Sequence, residues 1–421
     1  MLYRSAAIVA GAAAVAVAKP CSSVFPTSTS APAPGPTVKV DVGFRPHYIV
    51  DQMAPGPLKE EMEACANMDF QPSDFVIGHR GGGTLQIPEH SLESNLAGQR
   101  MGSGVLECDV AFTSDLELVC RHSQCDLHYT TNILLIPDLA AKCTVPFTPA
   151  ADGQPATATC CTSDITLAEF KTLCAKMEGF NASATTPEDF QHGTPAWRTD
   201  LYAAGCPKVL THKEHIKLVD GMGLKFTPEL KLPEVEMPFQ GNYTQEMYAQ
   251  QLIDEYREAG ISPDRVWPQS FNYPDVLYWI DNEPEFGLQA VWLDETADDP
   301  ANFPNSIAFL DTVKADGVQY LAPPLPYLVQ SDNGTIVPSP YADRANELGL
   351  NIVAWTLERS PPLAQVREEG NYYYFTIQDA VHNDGDIFTL LDVLYRQIHI
   401  KQIFSDWSGT VTYYINCVGG V

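Results

Sequence analysis

The sequence predicts an α/β protein of the TIM-type (β/α)8 barrel class, with a cysteine-rich loop insertion after a hairpin at its second strand. Short apolar runs bounded by turn residues recur at barrel spacing from Phe75 to Trp407. Helix-patterned stretches separate several of these runs, as parallel strands require. No G-x-G-x-x-G turn follows a strand, because GHRGGG has a different spacing, and this disfavours an open doubly wound sheet. With the hairpin's return strand set aside, the runs number about eight, the barrel count.

The 421-residue chain has room for a barrel of about 250 residues with insertions. Its start reads as a secretory signal peptide over 1–18: MLYR is basic, Ser5 to Ala18 apolar, and Ala16-Val17-Ala18 a cleavage site. That run is too short and Ala-rich to span a membrane comfortably. Residues 19–72 read as a linker and N-terminal arm. Ser22 to Thr37 is rich in Pro, Ser, Thr and Ala and cannot bury a core, while KEEMEACANM is helix-like. The barrel is placed at 73–417.

Phe75 to Gly78 is the first strand, ending in the His79-Arg80-Gly81-Gly82-Gly83 turn. Pro88 to Met101 is predicted as a helix with proline near its start. Val105 to Phe112 is the second strand, and Leu116 to Arg121 follows almost at once. Thr113-Ser114-Asp115 is too short for a parallel crossover, so this pair must be a hairpin that brings His122 back over the strand before it. About 123–223 is an insertion holding Cys125, Cys143, Cys160, Cys161, Cys174 and Cys206. We expect a disulfide-stapled loop subdomain used for substrate selection, its connectivity left open. The later strands are Lys225–Lys231, Arg265–Phe271, Leu288–Asp294, Val318–Ala322, Ile352–Leu357 and Gln402–Trp407, with helices at Gln245–Ala259 and Ser339–Leu348.

A net charge of −28 argues against nucleic acid or an anionic membrane surface as partner. An anionic substrate must then be drawn by a local metal site. The eleven cysteines suit an oxidising compartment, and their odd number leaves at least one outside intrachain pairing. Asn181, Asn242 and Asn333 head glycosylation acceptors. The expectation is a secreted protein, free or held at the cell surface or wall, with no stable membrane insertion and no protein partner.

Glu107 and Asp109, two apart on a strand, share one face. Two anions at close quarters need a cation, and carboxylate oxygens suit a hard ion such as Ca2+ or Mg2+. His79 and His122 sit at strand tips, and histidine can remove or supply a proton near neutral pH. Taken singly, each of these residues also reads as a solvated strand end. His128 divides evenly between site and loop. His90 reads as a structural loop residue, and His212 and His215 as surface residues of a charged helix.

HRGGG at His79, then PEHS, ECDV, T-x-D-x-x-L-V-x-x-H ending at His122, and TPELK around Glu229 occur in that order. The ordered set resembles the glycerophosphodiester phosphodiesterase family from about Phe75 to Trp407. The resemblance implies hydrolysis of a glycerophosphodiester to sn-glycerol 3-phosphate and an alcohol. It makes Glu107, Asp109 and Glu229 ligands of a divalent metal, and His79 and His122 the acid–base pair. Arg80 would contact the phosphate or form a structural ion pair, and Lys231 would stabilise transition-state charge at the phosphate or balance Glu229. Glu89 would hold the first loop and touch the ligand, Trp355 would face a substrate headgroup or lie in the core, and Gln269 is a weaker candidate of the same sort. The family's P-E-N-T asparagine is His90 here, the aspartate after the second histidine is Ser123, and its D-G turn is Asp115-Leu116. The closing T-D-x-P is Ser405-Asp406-Trp407-Ser408. Two other readings share these residues: a lysophospholipase D or sphingomyelinase-D-like enzyme acting on lipid headgroups, and a non-catalytic extracellular binding barrel.

Overall fold

Eight parallel strands close on themselves in a computed structural model that describes residues 38–202 and 205–420. The expected signal peptide and the Pro/Ser/Thr-rich linker lie outside the described residues. The strands are β1 (Ser73–Gly78), β2 (Ser103–Phe112), β3 (Leu118–Cys120), β4 (Val145–Thr148), β5 (Thr157–Thr159), β6 (Lys225–Leu230) and β7 (Gln269–Ser270). They continue as β8 (Val291–Leu293), β9 (Tyr320–Ala322), β10 (Val329–Asp332), β11 (Thr335–Pro338), β12 (Asn351–Leu357) and β13 (Gln402–Ser405). The barrel runs β1-β13-β12-β9-β8-β7-β6-β2 and closes through β1–β2 pairing, with β3 antiparallel to β2 at its edge. The hairpins β4–β5 and β10–β11 stand apart from it.

A helix follows each barrel strand before the next, from Leu92–Arg100 after β1 to Gly409–Cys417 after β13. Strands covered on both sides need no polar face, and β2 is buried along its whole length. Ile77, Val105, Val291, Val353 and Phe404 fill the barrel interior. Tyr248, Tyr256 and Trp279 belong to the larger cluster between strands and helices.

Several expected elements differ in extent. The strand expected over Arg265–Phe271 is interrupted: Val266 bridges singly to Phe226 and the regular strand covers only Gln269–Ser270, because Pro268 between them has no amide hydrogen to donate to the ladder. The helix expected from Pro88 begins at Leu92. Ser91 caps it by accepting from the Ser94 amide, and His90 just before takes a left-handed φ of 54° that ends any helix there.

His212 and His215 are not surface residues. Both are buried on the helix His212–Met222, and His212 Nδ1 lies 2.9 Å from Glu255 Oε2. The charged side chains Lys213 and Glu214 mark only the outer face of that helix. His215 has no hydrogen-bond partner on either ring nitrogen, and burial, followed by the nearby His212 and His90, holds it well below the ordinary histidine range. An unfolded His215 would take up a proton near pH 6.5 that the folded one refuses. Its contribution to stability is therefore complete above that pH and is lost as pH falls. Unfolding in urea should give a free energy that drops between pH 7 and 5, by at most about 1.4 kcal/mol per pH unit for each such proton. His215→Leu should shallow that slope; parallel slopes for the two proteins would refute the assignment.

Ten cysteines form five disulfides. Cys125–Cys161, Cys143–Cys160 and Cys174–Cys206 staple the insertion, which packs its own core around Leu127, Phe170 and Phe190. Cys108–Cys120 ties β2 to β3, and Cys65–Cys417 ties the N-terminal arm to the last helix. Cys21, the remaining cysteine, lies outside the described residues. Among the described residues no helix is long and apolar enough to cross a membrane.

Candidate active site

The functional side chains gather where the barrel strands end, the position at which loops from many strands converge. Parallel pairing aligns Asp109 with Glu229 and Glu229 with Gln269 across β2, β6 and β7. Neighbouring strands lie about 4.8 Å apart, so this register, with Glu107 two residues from Asp109, brings three carboxylates together. One oxygen from each of Glu107, Asp109 and Glu229 lies within 4.8 Å of the others, and all three residues are buried.

Their charges are unevenly accommodated. Burial, then Asp109 and Glu229, pushes the Glu107 carboxyl well above the usual range. Burial raises Glu229 to about 8 against the opposing charge of Lys231. Burial would raise Asp109 too, but His90 and Lys231 outweigh it and hold that carboxyl well below the usual range. Gln269 Nε2 donates to Glu107 Oε1 at 3.1 Å, so this side chain stands behind a carboxylate and is itself buried. Asp109 Oδ1 is buried without a hydrogen-bond partner. Three clustered carboxylates, one with an unpartnered oxygen and two pushed up by burial and mutual repulsion, fit a hard divalent cation.

The HRGGG turn delivers the first histidine. Arg80 takes a left-handed φ of 51°, which turns its amide to donate to Glu107 Oε2 at 2.7 Å. Gly82 has φ +89°, and a Cβ there would lie 2.4 Å from Ser408 Oγ and 2.8 Å from Gly78 Cα, so only glycine fits. His79 Nδ1 lies 2.9 Å from Asp406 Oδ2 and 3.1 Å from Thr356 Oγ1. Its Nε2 stands 3.8 Å from Glu107 Oε2. Burial lowers the His79 pKa, partly offset by Asp406, whose own carboxyl is held below its ordinary range by His79 and Arg359 against the cost of burial.

A cavity of about 560 Å3 opens here, with His79, His122, Glu107 and Glu229 on its wall. Burial, then Arg80 and Lys231, holds His122 well below the ordinary histidine range. Lys231 reaches the same cavity and pairs with Glu229 Oε1 at 2.5 Å. Trp355 forms part of the wall, stacked on Tyr372 with ring centroids 6.3 Å apart, its Nε1 donating to Ala322 O. Arg80 lines the cavity too, whereas Glu89 is buried behind it and accepts from Arg80 Nη1 at 2.9 and 3.1 Å.

Sequence reading missed several residues of this site. His90, taken for a structural loop residue, is buried with Nε2 2.7 Å from Asp109 Oδ2. Its place in the PEHS motif was the available signal. Asp406 stood inside the closing motif, but only barrel closure sets β13 beside β1 and so Asp406 beside His79. Glu178, Arg198 and Arg359 carried no signal at all. His128 is a structural residue: its Nδ1 accepts from the Cys160 amide and its ring packs on Tyr129. Ser123, in place of an aspartate beside His122, donates to Glu234 from the segment after β6.

The fold is a closed parallel barrel with buried carboxylates and histidines at its mouth. The model of the glycerophosphoryl diester phosphodiesterase family matches residues 79–385, and the chain belongs to that family. It is 48% identical over 242 residues to a protein of Arthroderma benhamiae named "Extracellular protein", covering 57% of this chain and 99% of that one. It is 22% identical over 214 residues to the glycerophosphodiester phosphodiesterase of Haemophilus influenzae, covering 50% of this chain and 53%, about half, of that relative's length. A solved structure from Silicibacter pomeroyi, assigned as a glycerophosphoryl diester phosphodiesterase, superposes with a TM-score of 0.50 at 17% identity. That match covers 85% of this chain and 97% of the other, and it concerns the fold.

Proposed function

We propose that the chain is a metal-dependent hydrolase that converts glycerophosphodiesters to sn-glycerol 3-phosphate and an alcohol. The observation that carries this reading is that His79 and His122 open into the cavity whose wall includes Glu107 and Glu229, two members of the carboxylate cluster. Glu107, Asp109 and Glu229 would hold Ca2+ or Mg2+. When bound there, such an ion would supply Lewis-acid charge neutralisation for the phosphate and would favour deprotonation of the attacking hydroxyl.

The chain's own residues do the rest. Asp406 accepts from the Nδ1–H of His79, which leaves Nε2 unprotonated toward the cavity, and burial keeps the ring neutral. His79 is thus the base that takes a proton from the attacking oxygen, either a glycerol hydroxyl of the substrate or water. His122 protonates the departing alkoxide. The substrate's phosphate charge would raise its pKa on binding, opposing the lowering by burial, Arg80 and Lys231. Arg80 and Lys231 donate to the non-bridging oxygens. If the glycerol hydroxyl attacks, glycerol 1,2-cyclic phosphate should accumulate in rapid-quench samples when hydrolysis is slowed; its absence would leave direct attack by water.

The test of the whole reading is release of glycerol 3-phosphate from glycerophosphocholine, with added Ca2+ or Mg2+ and with chelator. Turnover that chelator abolishes supports it, whereas a folded, metal-binding chain inactive on every phosphodiester would leave a binding barrel. In this reading Trp355, on the cavity wall, faces the leaving group, so Trp355→Ala should raise KM roughly tenfold, about 1.4 kcal/mol, with kcat little changed. An unchanged KM would place the leaving group elsewhere. Secretion is part of the proposal, supported by the five disulfides and by the likeness to a protein named extracellular.

A further inference from the structure

Behind Arg80 lies a cluster of charged side chains drawn from three separate segments. Glu89 comes from the loop after β1, Arg359 follows β12, and Glu178 and Arg198 come from the cysteine-rich insertion. Glu178 Oε2 accepts from Arg198 Nη1 and from Arg359 Nη2, each at 2.7 Å, and lies 3.8 Å from Arg80 Nη1. Glu89 Oε2 accepts from Arg80 Nη1 at 2.9 Å and from Arg359 Nη2 at 3.1 Å, with Arg198 Nη2 at 3.5 Å. Glu89, Glu178 and His122 bring ligand atoms within 4.8 Å of one another. With three guanidiniums around two carboxylates, that group would repel a cation, so it is not a second metal site.

The insertion is built to hold Glu178 in place. Lys176 Nζ donates to three backbone carbonyls, of Tyr129, Met177 and Gly179, each at 2.7 Å. Gly179 has φ +134°, and a Cβ there would lie 2.7 Å from Gly193 O. The Cys174–Cys206 disulfide closes the segment that also carries Arg198. Glu178 and Arg359 both reach the cavity wall, whereas Arg198 is buried.

We propose that Glu178 is a positioning residue for the reaction: the insertion reaches the barrel mouth and, through this carboxylate, fixes Arg80 and Arg359 where they face the substrate's phosphate. The proposal rests on the phosphodiesterase reading above. Removing the Glu178 charge leaves the buried Arg198 and Arg359 short of a carboxylate. Arg198 Nη2 and Arg359 Nη1 are already without hydrogen-bond partners, so the guanidiniums must shift, and Arg80 with them. Misplacement by about 1 Å can cost on the order of 100-fold in rate.

The experiment compares wild type, Glu178→Gln and Glu178→Asp on glycerophosphocholine with saturating divalent metal, alongside metal affinity and thermal midpoint. Expected is a loss in kcat of roughly 10- to 100-fold for Glu178→Gln, unchanged metal affinity, and partial recovery in Glu178→Asp. Wild-type kcat in a folded Glu178→Gln protein overturns the role of Glu178 and leaves the phosphodiesterase reading intact. So does a loss that Glu178→Asp shares in full together with a lowered thermal midpoint. An inactive wild type overturns the phosphodiesterase reading itself. Should Glu178→Gln fail to fold, Arg359→Lys decides: it keeps the charge and loses the planar fork, and a wild-type kcat there overturns the proposal.

Discussion

His79→Ala is expected to lower kcat on glycerophosphocholine by roughly 100- to 10,000-fold, the usual contribution of a positioned general base. The reason is geometric. His79 has a carboxylate on the far side of its ring, Asp406 at 2.9 Å, and its other nitrogen is turned toward Glu107. The substitution removes no metal oxygen, so Ca2+ or Mg2+ should bind as in the wild type by calorimetric titration. Asp406→Asn should fall between wild type and His79→Ala, because an amide cannot hold Nδ1–H as firmly and leaves the ring free to take the other tautomer. A His79→Ala enzyme within a few-fold of wild type would transfer the base role to His122 or to water.

Asp109→Asn should be comparably damaging by a different route. The carboxylate lies between His90 Nε2 at 2.7 Å and Arg80 Nε at 3.6 Å, and its second oxygen is unpartnered. An amide keeps the shape and withdraws the charge, leaving two buried cationic or donor groups facing a site meant for a cation. Calorimetric titration with Ca2+ or Mg2+ should then give little or no heat. The expected fall in kcat/KM is roughly 1,000-fold, about 4 kcal/mol of transition-state stabilisation. Retained metal binding with full activity would show that the cluster is structural and that the cation sits elsewhere.

The barrel and its central residues were legible in the sequence because they depend on local pattern. Apolar runs between turn signals located all eight strands, and the three-residue Thr113–Asp115 connection required the hairpin seen between β2 and β3. The i, i+2 spacing put Glu107 and Asp109 on one side of β2, where the structure has them. Where local pattern carried less information, the reading failed. Pro88 suggested a helix start that Ser91 takes instead, and the charges of the helix His212–Met222 hid a buried face holding two histidines.

Residue type and spacing along the chain determined the fold class and, with the ordered family motifs, nominated the two histidines and the carboxylate set, because these lie at the ends of strands whose order the barrel imposes. Tertiary structure alone decided what surrounds them. Barrel closure set β13 against β1 and gave His79 its Asp406, although 327 residues separate them. The strand register put Glu229 opposite Asp109 and Gln269 beside Glu229. The insertion, closed by the Cys174–Cys206 disulfide and held by Lys176, brought Glu178 to Arg80 and Arg198 to Glu89, each about a hundred residues away in sequence. Such pairings have no period in the sequence; they are specified by how strands and loops pack, and charge complementarity appears only once the groups are buried together.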